Sequence, residues 1–147
     1  MQTRIMLLTL ALLFGASGSV PARDTKHMLP INAGTNTPAA RDKLGTSVAF
    51  YFGKQVHPRV AQTLGIYTAN RKTNAFNKSD QEACEWAFLS ALLALRDRAV
   101  QEGGDAVINI KSFYKKNEVI SDSEYECHAG GILAGVALQG TVVRLTK

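Results

Sequence analysis

The sequence is poor in the residues from which most active sites are built. Two cysteines and three histidines are all it holds in 147 positions, and none stands at C-x-x-C or H-x-x-x-H spacing. A four-cysteine zinc module is therefore excluded. No G-x-x-x-x-G-K-[ST] stretch is present to cradle nucleotide phosphates. No apolar run approaches the ~20 residues a helix needs to cross a bilayer. Basic residues are scattered as Arg71-Lys72, Lys78 and Lys115-Lys116. A nucleic-acid footprint calls for a clustered stripe with interleaved aromatics, so no nucleic-acid partner is expected. Nothing repeats at a fixed period.

The N-terminus has the layout of a secretory signal over Met1 to Ala22. Arg4 gives a positive start, Met6 to Phe14 an apolar run, and Val20-Pro21-Ala22 a small-residue cleavage site before Arg23. No cysteine follows the apolar run, which argues against lipid attachment there. A periplasmic protein, cleaved after Ala22, is expected. The 17 Lys+Arg less Arg4 leave 16 against 12 Asp+Glu, a net charge of +4 for the processed chain. That describes a basic solvated surface with weak attraction to an anionic envelope.

Within the processed chain, Asn77 to Ile110 is the organising stretch. Ser79-Asp80-Gln81-Glu82 reads as a capping box, with two acids at the positive end of the helix dipole. Strong helix formers follow until Gly103-Gly104, a left-handed stop that needs no side chain. The predicted helix has about 24 residues and is roughly 36 Å long. One face carries Cys84, Phe88, Ala91, Leu92, Leu95 and Ala99, the spacing of a core stripe. Trp86, Leu89, Leu93 and Val100 lie on a nearly opposite face. So wide an apolar arc exceeds what one small sheet covers, so loops or another subunit must lie over the second face.

Around the helix, Arg23 to Lys43 is rich in turn formers and reads as an irregular arm, which extends to about residue 45. Ser47 to Phe52 is a strand. Val60 to Ala69 is a second, with Leu64, Ile66 and Thr68 on one face, and Asn70 to Asn77 a polar loop. Beyond the glycines, Ala106 to Ile110 is a strand with Ala106, Ile108 and Ile110 toward the helix. Lys115 to Ser123 is an exposed hairpin connection. Glu124 to His128 returns as a strand, and Ala134 to Leu145 is the last. Gly131, Gly135 and Gly140 are expected to admit close backbone approach. The expected fold class is α+β: a mainly antiparallel sheet with one long helix packed on one face, a single domain over residues 46–147.

The order helix, Gly103-Gly104-Asp105-Ala106-Val107, hairpin, then a strand ending Gly140-Thr141-Val142-Val143 resembles the YbjQ-type family, named for heavy-metal binding. It is also similar to the globular domain of RcsF, an envelope-stress sensor lipoprotein. The resemblance covers roughly Thr46 to Lys147 and implies ring-like oligomers, which would cover the second helix face. Two departures weaken the sensor role: no lipidation cysteine, and one possible disulfide where RcsF has two. Similar exported chains also carry the label excinuclease ATPase subunit. The missing phosphate loop and zinc module, and export away from ATP, argue against that chemistry.

Two cysteines in an exported chain imply one disulfide, Cys84 to Cys127, across 43 positions. A thiol enzyme or a metal site using Cys84, Cys127 and His128 is the alternative. Cys84 lies past the first helical turn, where the dipole would activate it, and strand alternation turns His128 away from Cys127. His57 could add a soft ligand, but it stands in a loop before Pro58, and His27 stands in the arm. Asp122, Glu124 and Glu126 read as an exposed acidic edge. No motif asks for a cofactor or marks a catalytic residue. The expectation is a non-enzymatic interaction module, disulfide-stabilised and oligomeric or bound to an envelope partner. Its contact surface is Trp86, Leu89, Leu93 and Val100.

Overall fold

A computed structural model of the chain describes Gly18, Ser19 and residues 22–147; most of the expected signal segment lies outside the described residues. The organising helix, α3, spans Asp80–Glu102. Ser79 caps it, its hydroxyl accepting from the Glu82 amide at 3.1 Å. Gly103, at φ +78°, ends it. The Gly103 amide donates to Val100 O and the Gly104 amide to Ala99 O, the paired bonds of a Schellman end.

The helix lies on a sheet of six strands: β1 (Thr25–Pro30), β2 (Ala49–Phe52), β3 (Val60–Asn74), β4 (Ala106–Ser112), β5 (Glu124–Ala129) and β6 (Leu133–Leu145). The fold is α+β, with a mainly antiparallel sheet and one long helix packed on one face. β6 is the spine. It pairs β3 along its whole length on one side, and on the other pairs β5 near its start and β4 beyond. β1 extends the sheet antiparallel to β5, and β2 extends it parallel to β4. Cys84, Phe88, Ala91, Leu92, Leu95 and Ala99 are all buried, against Val107, Ile110, Tyr125, Val136, Leu138 and Val142 of the sheet.

Several expectations need correction. Residues 23–45 are not irregular: β1 is followed by α1 (Ile31–Thr35) and α2 (Pro38–Leu44). Both short helices lie on α3, and the close approach depends on Gly34, where a Cβ would stand 2.5 Å from the Phe88 ring. Only tertiary contact makes elements this short stable.

In β4, Val107 and Ile110 face the helix, while Ala106 and Ile108 join Val143 in a smaller cluster on the other face. The cause is a register shift between Ile108 and Lys111. Asn109 sits there at φ +51°, and one extra residue reverses the inside–outside alternation. The same happens in β3, where the register shifts between Thr63 and Gly65. Leu64, Tyr67 and Ala69 turn inward while Ile66 is exposed, so Ile66 and Thr68 do not share the inner face with Leu64. β3 also runs on to Asn74, through most of the expected polar loop.

Lys115 to Ser123 does not close a hairpin. Ser112↔Val119 is an isolated bridge, and β4 and β5 both pair β6 instead. Of the three glycines expected to be tight, only Gly140 is, its would-be Cβ 2.5 Å from Val107 Cγ1. Gly131 has nothing within 4 Å, and Gly135 is in ordinary contact.

Candidate functional site

Strand alternation aims Cys127 of β5 at α3, where it meets Cys84. Their Cα atoms are 5.8 Å apart and the sulfurs are bonded, both fully buried. No free cysteine is present among the described residues. Next to the bridge, Tyr125 stacks on Phe88 with ring centroids 3.8 Å apart. Its hydroxyl is buried without a hydrogen-bond partner, and burial pushes its pKa up.

His128 lies on the opposite face of β5, as alternation predicts. Its Nε2 is 2.6 Å from Glu126 Oε1 and its Nδ1 is 3.1 Å from Asp24 Oδ1. Tyr114 stacks on the ring at 3.7 Å. The thiols are bonded to each other and His128 faces away from them. The site built from Cys84, Cys127 and His128 therefore does not assemble. Among the described residues no group of three His, Cys, Asp or Glu side chains is placed to hold a metal ion.

The expected acidic edge is corrected at one residue. Glu126 is buried, with Lys26 Nζ 3.8 Å from its Oε2. Asp122 accepts from the Lys54 amide at 2.7 Å and so fastens the turn after β2. Asp122 and Glu124 are both exposed at that edge, as expected, and only Glu126 departs from the expectation.

The start of β1 is tied down by charge. Arg23 reaches Asp80, the first residue of α3, with both guanidinium nitrogens at 2.8 and 3.0 Å. His27 Nε2 reaches the same carboxylate at 2.8 Å. The Arg23 hydrogen bond first, and His27 second, hold the Asp80 carboxyl well below the usual range, at about 2. His27 is thus a tether between strand and helix. His57 stays in its loop, its Nδ1 2.8 Å from Pro58 O.

The expected contact surface divides in two. Leu89 is only 3% exposed. It borders a groove of about 300 Å³ whose other wall is Pro38 and Ala39 of α2, so it packs within the molecule. Trp86 (40% exposed) and Val100 (57%) remain open, with Leu93 half-buried between them. The seven-residue spacing aligns these three as one stripe. Sequence reasoning missed α2 as the cover for Leu89. The signal was there in Thr37-Pro38 and Gly45, an N-cap with proline at the first turn and a glycine stop.

Compared with known proteins, the chain matches no family model and no curated protein.

Proposed function

We propose that this chain is an exported interaction module of the YbjQ/RcsF-like type, periplasmic and working by binding rather than catalysis. The observation that carries this reading is the stripe Trp86, Leu93 and Val100. It stands open on a helix whose other apolar positions are covered by the sheet and by α1 and α2. An exposed tryptophan such as Trp86 is a usual anchor of a protein contact, and the neighbouring aliphatic side chains supply surface that excludes water around it. A buried disulfide suits an oxidising compartment. The order of α3, Gly103-Gly104, β4 and a glycine-bearing β6 supports the family reading. No helix among the described residues is long and apolar enough to cross a membrane.

The occupant of the stripe is a second copy of the chain or an envelope protein. Light scattering of the processed protein tests the first: an oligomer is expected, reduced to monomer by Trp86→Ser with Val100→Ser. Site-specific photo-crosslinking from position 93 in the native envelope tests the second. A monomer that crosslinks to nothing at position 93 removes the reading.

A further inference from the structure

A second exposed apolar surface lies at the end of the sheet where the N-terminal segment enters the fold. Phe76, Ile132 and Leu133 are 64%, 71% and 51% exposed. The backbone brings them together: the Ala75 amide donates to Ile132 O at 2.7 Å, and Asn74 lies opposite Leu133. The turn that presents Ile132 is closed by a 2.8 Å bond from the Gly130 amide to Leu133 O. Arg23 holds that turn from outside, donating to Gly130 O at 2.9 Å.

We propose that this corner docks on an anionic lipid surface. The charges beside it favour that occupant. Lys72 lines the same cavity, of about 430 Å³, as Ile132 and Leu133. Lys78 lies across the corner, its Nζ 3.0 Å from Asn74 O. Neither lysine has a carboxylate within salt-bridge distance among the described residues. The nearby acids are already engaged: Asp80 by Arg23 and His27, Asp24 by His128 and Lys115, Glu126 by His128 and Lys26. The corner therefore presents bulky apolar side chains flanked by two lysines, Lys72 and Lys78, that no carboxylate among the described residues pairs. Such a surface sinks its apolar groups into the acyl boundary while lysines reach lipid phosphates.

The proposal takes its cellular setting from the export reading, but its test reads lipid binding directly.

All six strands and the three α-helices of the described residues lie within Thr25–Leu145, so the chain from Arg23 carries the whole described fold. It is floated with phosphatidylcholine vesicles, and with vesicles in which about one-third of the lipid is phosphatidylglycerol. Binding is expected only to the anionic vesicles, weakened about fivefold or more when salt is raised to about 0.5 M. Phe76→Ser with Ile132→Ser and Leu133→Ser is expected to weaken it about tenfold or more. Ile132→Ser alone serves if the triple variant loses its native circular dichroism. Lys72→Gln with Lys78→Gln is expected to erase the preference for anionic lipid. Val56→Ser, at an exposed apolar residue before the opposite end of β3, is expected to leave vesicle binding intact, which shows that the apolar side chains of this corner act in particular. Absence of flotation, or flotation indifferent to the apolar substitutions, overturns the proposal. So does a fall in oligomer mass on Ile132→Ser without vesicle binding, which would make the corner a self-contact.

Discussion

Replacing both Cys84 and Cys127 with alanine tests the centre of the fold. The bridge joins α3 to β5 across 43 residues of chain, and that loop contains β4 and the whole route back to the sheet. On the chain-entropy model, releasing such a loop restores about 13 cal/mol/K to the unfolded state, or about 4 kcal/mol at room temperature. Removing two fully buried sulfurs also leaves space that the dense core around Phe88 and Tyr125 refills only in part, adding about 1 kcal/mol. A domain of this size has a net stability of about 5–15 kcal/mol. The variant should thus lose a third or more of it and melt about 15–20 °C lower. Urea unfolding and differential scanning calorimetry of the oxidised wild type and the double variant measure this directly. A midpoint shift of under about 3 °C would refute the reasoning, because it would mean the loop is already restrained in the unfolded chain.

Other consequences follow from single contacts. Asp80→Asn removes a partly exposed carboxylate whose pKa of about 2 reflects the Arg23 hydrogen bond first and His27 second. A depressed folded pKa stabilises above the unfolded value of about 4, and the gain is lost as pH falls from about 4 to about 2. Allowing for solvent screening, urea unfolding at pH 6 should show a loss of about 1 kcal/mol in the variant and a flatter acid limb. Tyr125→Phe deletes a buried hydroxyl without a partner. It should leave stability unchanged or raise it by about 1 kcal/mol, where a contact-based view expects a loss. Gly140→Ala places a methyl 2.5 Å from Val107 Cγ1 and 3.1 Å from Ile110 Cγ1. Both neighbours are stiff β-branched side chains, so about 2–3 kcal/mol should be lost in thermal unfolding.

The candidate surfaces were legible in unequal measure. Trp86, Leu93 and Val100 could be read as a stripe because seven residues bring a helix back to one face. Leu89 looked equivalent, but it lies buried beside α1 and α2, short helices whose placement on α3 no periodicity predicts. The corner at Phe76, Ile132 and Leu133 left no mark in the sequence, since it draws on the end of one strand, Asn74, and the start of another, Leu133, far along the chain.

Local chemistry determined the two ends of α3, its buried face, the pairing of the two cysteines and the outward turn of His128. Each depends on neighbours within a few residues or, for the disulfide, on there being only two thiols. Tertiary structure decided the inward faces of β3 and β4. Single-residue bulges beside Gly65 and at Asn109 reset the alternation, and a bulge forms where the partner strand requires it. It also decided the order of residues 23–45, because β1 has no stability without β5, nor α1 and α2 without α3. Short elements carry too few internal bonds to hold themselves, so their existence is settled by what they rest on.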